Sequence, residues 1–236
     1  MNKIRHFKIK LLSICFLFIC MFLCVFINPT SQVDTPLLKY TVVIDAGHGG
    51  IDGGVIGYSE KTCERDINLD FALKLGALFN GLDCTVVYTR ENQNGLYDES
   101  AKNKKVDDMK KRIEIINKNN ANLVISIHQN GYTLPDQRGI MAYYKTEQEA
   151  SKNLAQVLQN RFIKNLPYAR GEALAGDFFI LNECNALCVL IECGFLTNPE
   201  EEKLLSSSDY QDKVCFEIFT GCVQYLVNEG EICINN

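Results

Sequence analysis

The sequence predicts an α/β domain with a largely parallel sheet, preceded by an apolar export segment. Three observations lead there. Short apolar, often β-branched runs alternate with longer stretches of helical spacing, the pattern of a sheet covered by helices. Leu187 to Ile191 is a near-continuous apolar run, as expected of a central strand covered on both faces. The chain also opens with Lys3, Arg5, Lys8 and Lys10, no acid, and then an uncharged run from Leu11 to Ile27.

Tyr40 to Asp45 reads as the first strand. Glu64 to Asn80 reads as a helix, with Ile67, Phe71, Leu75, Leu78 and Phe79 on one face. Cys84 to Tyr88 is a strand, Val106 to Asn119 a more polar helix, and Leu123 to Ile127 and Ile140 to Tyr144 are strands. Glu147 to Lys164 is a helix, Phe178 to Leu181 a short strand, and Leu187 to Ile191 the central strand. Asp209 to Val227 closes the domain as a helix.

A basic flank before an apolar run is an export signature. The run is seventeen residues long, just enough to cross a bilayer, and no small-x-small cleavage site follows it. Residues 1–27 therefore read as a signal peptide or membrane anchor, with the anchor favoured, residues 28–39 as a linker, residues 40–228 as one domain and residues 229–236 as a tail. The basic end predicts that the domain lies outside the cytoplasmic membrane, anchored or secreted.

Hydrophobic residues make up 47% of the chain, enough for a real core and against disorder. Beyond residue 33 there are 20 basic and 29 acidic side chains, a net charge of −9, which argues against nucleic acid as a partner. Eight of the eleven cysteines lie beyond the apolar run. Most occupy apolar positions of strands or helices, so they read as buried thiols rather than a disulfide framework.

Only two histidines lie beyond the apolar run, and each follows a strand: His48 after Val43-Ile44-Asp45, and His128 after Val124-Ile125-Ser126-Ile127. The carboxyl edge of an open α/β sheet is where ligands bind. Glu64 starts the first helix on its core-facing stripe, three residues before Ile67 and seven before Phe71. It reads either as a third ligand or as a first-turn acid favoured by the helix dipole. Two imidazoles and a carboxylate form a catalytic zinc set with a fourth position for water. Glu192, directly after the apolar run Leu187 to Ile191, is the candidate for a carboxylate that moves a proton without binding the ion. Its neighbour Cys193 points to the opposite face and is a poor fourth ligand.

Together these residues resemble the zinc-dependent N-acetylmuramoyl-L-alanine amidases of the amidase-3 type. The segments that carry the resemblance are Val43-Ile44-Asp45-Ala46-Gly47-His48-Gly49-Gly50, Glu64-Arg65-Asp66-Ile67-Asn68-Leu69, Thr89-Arg90, Ser126-Ile127-His128-Gln129-Asn130, and Ile191-Glu192-Cys193-Gly194-Phe195-Leu196-Thr197-Asn198-Pro199-Glu200. They follow the family's order across nearly the whole domain. The resemblance implies a mixed six-stranded sheet flanked by helices. It implies one Zn2+ per chain, held by His48, Glu64 and His128, with Glu192 as the catalytic carboxylate. It implies hydrolysis of the amide between N-acetylmuramic acid and L-alanine in peptidoglycan, by a zinc-bound hydroxide. Cys193 and Gln129 depart from the commoner family residues, and neither is expected to bear on the metal or the proton.

A single N-terminal apolar segment, the His-Gln-Asn variant and the lack of wall-binding repeats resemble the spore-cortex, germination-specific branch. That implies a role in cortex maturation, in the space around a developing spore. The expected partners are peptidoglycan, a membrane through the N-terminal segment, and an accessory protein that supports zinc binding or activity. Asn130 is expected either to hydrogen-bond the substrate or to cap its own loop. Two rival readings are another exported zinc peptidase acting within the stem peptide, and a wall-binding module without catalysis. Only eleven residues separate His128 from the strand at Ile140, interrupted by Gly131 and Pro135, so no long helix is expected to cover the site.

Overall fold

The computed structural model describes residues 40–229 apart from 83 and 170. The expected export segment, the linker and all but the first residue of the tail lie outside the described residues. Among the described residues, no helix is long and apolar enough to cross a membrane.

Six strands form one sheet: β1 (Thr41–Ala46), β2 (Thr85–Tyr88), β3 (Leu123–Asn130), β4 (Met141–Tyr144), β5 (Leu174–Ala175) and β6 (Leu187–Phe195). Their order is β2-β1-β3-β6-β4-β5. All neighbours are parallel except β4 and β6. The described helices are α1 (Glu64–Asn80), α2 (Lys104–Lys118), α3 (Glu149–Asn165), α4 (Phe179–Glu183), α5 (Pro199–Leu205) and α6 (Ser208–Asn228).

Strand alternation divides the core in two. Val42, Ile44 and Ala46 of β1, Leu123, Ile125 and Ile127 of β3, and Val189, Ile191 and Cys193 of β6 face α1, α3 and α6. Val43, Val124, Cys188 and Leu190 face the other way, toward Ile116 of α2 and Ile180 and Leu181 of α4. The central strands are thus buried on both faces, which is why they carry few polar residues until their carboxyl ends.

Three departures from the expected elements matter. Phe178 to Leu181 is not a strand: Phe179–Glu183 is the short helix α4, and the small edge strand is Leu174–Ala175. A brief apolar run has no period that separates strand from helix. An unexpected helix, α5, follows β6; the Asn198 side chain accepts from the Glu200 and Glu201 amides at 3.0 Å, and Pro199 occupies the first turn. Finally, β3 and β6 run on to Asn130 and Phe195, so His128 and Glu192 lie within strands and stand in register with each other.

Five of the six thiols at Cys63, Cys184, Cys188, Cys193, Cys215 and Cys222 are buried, and all six are free, as expected of small core residues. Cys233 lies outside the described residues.

Candidate metal centre

The parallel strands β1, β2, β3 and β6 deliver their carboxyl ends to one edge, and the proposed site residues gather there. β1 runs into Gly47 and His48. His48 has φ 62°, a left-handed conformation uncommon for a residue with a side chain. Gly47 allows the close approach of β3, because a Cβ there would overlap the His128 ring. Gly54, at φ 67°, lies against Glu64 and His48 in the same way.

The carbonyls of this loop are held from below by cations. Arg90 donates to Ala46 O and Gly47 O, each at 2.9 Å. Arg112 donates to Ala46 O at 2.7 Å and also reaches His48 O. The same guanidinium bonds Asp45 at 2.6 Å and Asp108 at 2.7 Å, and its side chain is 1% exposed. Asp45 also accepts from Thr89 Oγ1 at 2.7 Å and Ser126 Oγ at 2.6 Å. Burial alone would raise the Asp45 carboxyl, but the Arg112 charge and these hydroxyls outweigh it and hold the pKa down at about 2.

Glu64 is the first residue of α1 and is buried. Its Oε1 lies 3.1 Å from His48 Nε2 and 3.0 Å from His128 Nδ1. That oxygen also accepts from the Gln129 amide at 3.0 Å, while Oε2 accepts from the Val55 amide at 2.8 Å. Burial opposes the carboxylate, yet the hydrogen bonds from His128 and His48 prevail and keep its pKa well below the usual carboxylate range. The first-turn position and a ligand role are therefore compatible: the helix start is what aims Glu64 between the imidazoles.

The other face of His48 is fixed as well. Its Nδ1 lies 3.0 Å from Asp52 Oδ2, which sits 3.2 Å from Lys105 Nζ. Burial disfavours the charged imidazole, but Glu64 and then Asp52 outweigh it and raise the His48 pKa. With Nδ1 held by Asp52, Nε2 is the nitrogen that would lose its proton and offer its lone pair to a metal ion.

One potential ligand atom each from His48, Glu64 and His128 lies within 4.8 Å of the other two. Ligand atoms about 2.1 Å from a tetrahedral zinc ion sit about 3.4 Å apart, close to the 3.1 and 3.0 Å from Glu64 Oε1 to the two imidazoles. Two neutral imidazoles and a carboxylate are also the donor set zinc takes.

Glu192 stands beside this trio on β6, paired in register with His128. It is 9% exposed, and its Oε2 has no hydrogen-bond partner among the described residues. Burial, seconded by the Glu64 charge, pushes its pKa up to about 7 despite the two imidazoles. A buried carboxylate with an idle oxygen beside a ligand cluster is suited to proton transfer rather than to structure. Cys193 faces the opposite core cluster, as alternation requires.

Asn130 ends β3, and its Oδ1 accepts from the Gly131 amide at 2.9 Å, a loop-capping contact. The Gln129 side chain reaches the trio only through another residue: its Nε2 donates to Asn68 Oδ1 at 3.2 Å, and Asn68 Nδ2 lies 3.3 Å from Glu64 Oε1. The departure at position 129 thus lies two hydrogen bonds from a proposed ligand. Residues 131–139 contain no helix, so nothing in that segment resembles a cover for the site. A pocket of about 220 Å³ opens on the α2 side, with His48, His128, Met109 and Phe179 in its wall.

The family model described as N-acetylmuramoyl-L-alanine amidase matches residues 42–224. The germination-specific N-acetylmuramoyl-L-alanine amidase of Bacillus subtilis (strain 168) is 31% identical over 200 residues, covering 83% of this chain and 84% of that one. Among solved structures, the CwlD amidase of Clostridioides difficile, in complex with the GerS lipoprotein, has a TM-score of 0.76 at 35% identity, over 80% of this chain and 99% of that one. The catalytic domain of CwlV from Bacillus (Paenibacillus) polymyxa var. colistinus gives 0.71 at 32% identity, over 80% and 98%. With the family model spanning all but the first residue of the described sheet, the chain belongs to the amidase-3-type N-acetylmuramoyl-L-alanine amidases and is a peptidoglycan hydrolase of that activity.

Proposed function

We propose that the chain hydrolyses the bond between N-acetylmuramic acid and L-alanine with one zinc ion held by His48, Glu64 and His128, and with Glu192 as its catalytic carboxylate. The observation that carries this reading is the meeting of both imidazoles on Glu64 Oε1, next to the idle, buried oxygen of Glu192. Zinc, when bound, supplies a Lewis acid that acidifies water and polarises a carbonyl. The chain's residues do the rest. Asp52 fixes the His48 tautomer. Arg90 and Arg112 hold the His48 loop in its left-handed turn. Glu192 takes a proton from the attacking water and returns it to the leaving amine of L-alanine. Asn130 caps the loop beside the ligands, and its amide is the candidate substrate contact.

The likeness to a germination-specific amidase supports a role in spore-cortex maturation, outside the cytoplasmic membrane. The C. difficile relative solved with a lipoprotein supports an accessory partner for metal binding or activity. The basic flank and apolar run of residues 1–27 support attachment to the membrane. The test is zinc analysis of the purified domain together with identification of new ends in digested peptidoglycan. New L-alanine amino termini with no new amine inside the stem are expected. Cleavage within the stem, or full activity without metal, would refute the reading.

A further inference from the structure

Beside the proposed metal centre lies an exposed apolar surface that shares no lining residue with the 220 Å³ pocket and that the chemistry above does not use. Ile56 is 53% exposed, Tyr58 59%, Tyr132 54% and Leu134 57%. Ile56, Tyr58, Tyr132 and Pro135 border a shallow hollow of about 520 Å³, which Thr133, Thr197 and Glu60 also line. Contiguous exposed apolar side chains mark interaction sites.

The surface is anchored. Tyr58 donates its amide to Leu196 O at 2.9 Å, and Tyr132 donates its amide to Thr197 Oγ1 at 3.0 Å. Glu202 accepts from Ser59 N at 3.0 Å and from Ser59 Oγ at 2.7 Å, and Thr62 also reaches it, which fastens the turn carrying Tyr58 to α5. Asn198 Nδ2 donates to Pro135 O at 2.7 Å. A backbone that is already fixed spares the cost of ordering these loops on binding.

It is also continuous with the site. Ile56 follows Val55, whose amide bonds Glu64 Oε2 at 2.8 Å. Tyr132 is four residues beyond His128 on the same chain, which puts it within about 14 Å even if fully extended.

We propose that this surface binds the glycan strand of peptidoglycan, as a platform for N-acetylhexosamine rings beyond the muramic acid being cleaved. The proposal rests on the amidase reading for its orientation. A pyranose ring presents apolar C–H faces and polar hydroxyl edges. Tyrosine rings offer flat apolar faces with a polar tip, and the surrounding Thr and Glu oxygens meet the hydroxyl edge. Ile56, in the wall of the hollow, suits an acetamido methyl group. The hollow is open rather than closed, which a continuing polymer requires, whereas a small enclosed pocket cannot pass one. The domain's net charge of −9 beyond residue 33 disfavours an anionic partner and leaves a weakly charged sugar chain acceptable.

The test is the Tyr58→Ala, Tyr132→Ala double variant of the domain, loaded with zinc, on two substrates: long glycan chains bearing stems, and a single disaccharide carrying one stem. Both side chains are more than half exposed, so the fold and zinc content should be unchanged. KM on long chains is expected to rise about ten-fold, with kcat and all constants on the disaccharide substrate unaltered. Binding of peptide-free glycan strands, followed by affinity electrophoresis, should weaken in parallel. Unchanged constants on both substrates would overturn the platform and leave the surface to another occupant, such as a protein. An equal loss on both would overturn it too, by showing an effect on the centre itself. If the wild-type domain frees no L-alanine amine from either substrate, the amidase reading fails, and the glycan-strand binding arm still decides the platform.

Discussion

Arg112 and Asp45 meet at 2.6 Å beneath the loop that carries His48, with both side chains almost wholly enclosed. Because the same guanidinium reaches Ala46 O, His48 O and Asp108, a helix on one face of the sheet is tied to a proposed ligand. Removing one partner of such a pair leaves the other charge buried and unpaired, at a cost of about 3–5 kcal/mol. Arg112→Leu should lose stability on that order in urea denaturation. Zinc affinity should fall with it, since the His48 turn loses a tie. Arg112→Lys keeps the charge but lacks the fork of donors and should lose an intermediate amount.

The same pair sets an acid limit. The Asp45 carboxyl is held at about 2 in the fold, against an ordinary value of 3.8. A depressed carboxyl contributes stability that is fully present above the unfolded value and is lost as pH falls through the folded one. The contribution is on the order of 2 kcal/mol. Wild-type stability is therefore expected to drop between about pH 4 and pH 2, and Asp45→Asn, weaker throughout, should show a flatter profile there. Urea midpoints measured across the window check this; parallel profiles would exonerate Asp45.

Asp52 tests the orientation of His48. Its Oδ2 lies 3.0 Å from Nδ1, the ring nitrogen opposite the one that faces Glu64. Loss of such a partner typically lowers metal affinity about 10–100-fold. Asp52→Ala should do so in a chelator competition, with little change in the metal-free fold, because Asp52 is part-exposed. An unaltered affinity would mean that the left-handed backbone at His48 alone fixes the ring.

What was legible in the sequence had a period or a position. The β-branched runs located β1, β3 and β6, and their carboxyl ends located His48, His128 and Glu192. Arg112 was missed although a signal existed: with Met109, Ile113 and Ile116 it falls on the inward stripe of α2, four residues after Asp108. A polar helix hides an inward cation, because spacing alone does not reveal the carboxylates waiting on β1. The helix α5 was missed despite the Asn198-Pro199 start, since its seven residues are too few to show a stripe. Gln129 stood out in the sequence, but its contact with Asn68 did not, because it joins β3 to α1 and long-range contacts leave no local trace.

Glu192 separates metal binding from proton transfer. Glu192→Gln keeps the side chain's size and removes its capacity to hold a proton. His48, Glu64 and His128 are untouched, so zinc content, folding and KM should stay near wild type. Turnover should fall about 10²–10⁴-fold, the usual contribution of general acid–base catalysis. The pH profile adds a second readout. Burial sets the Glu192 carboxyl at about 7 in the metal-free chain, and a nearby cation can only lower it. The wild-type rate should therefore decline on the acid side at or below about pH 7, as the carboxylate is protonated. The variant's residual rate should lack that limb. His128→Ala provides the contrast: it should lose zinc as well as activity, and some stability with the metal. Zinc analysis and peptidoglycan cleavage on the same preparations decide. Were Glu192→Gln to lose zinc as fully as His128→Ala, Glu192 would be a ligand and Glu64 the residue to reconsider; were it fully active, the proton would have to travel by another group.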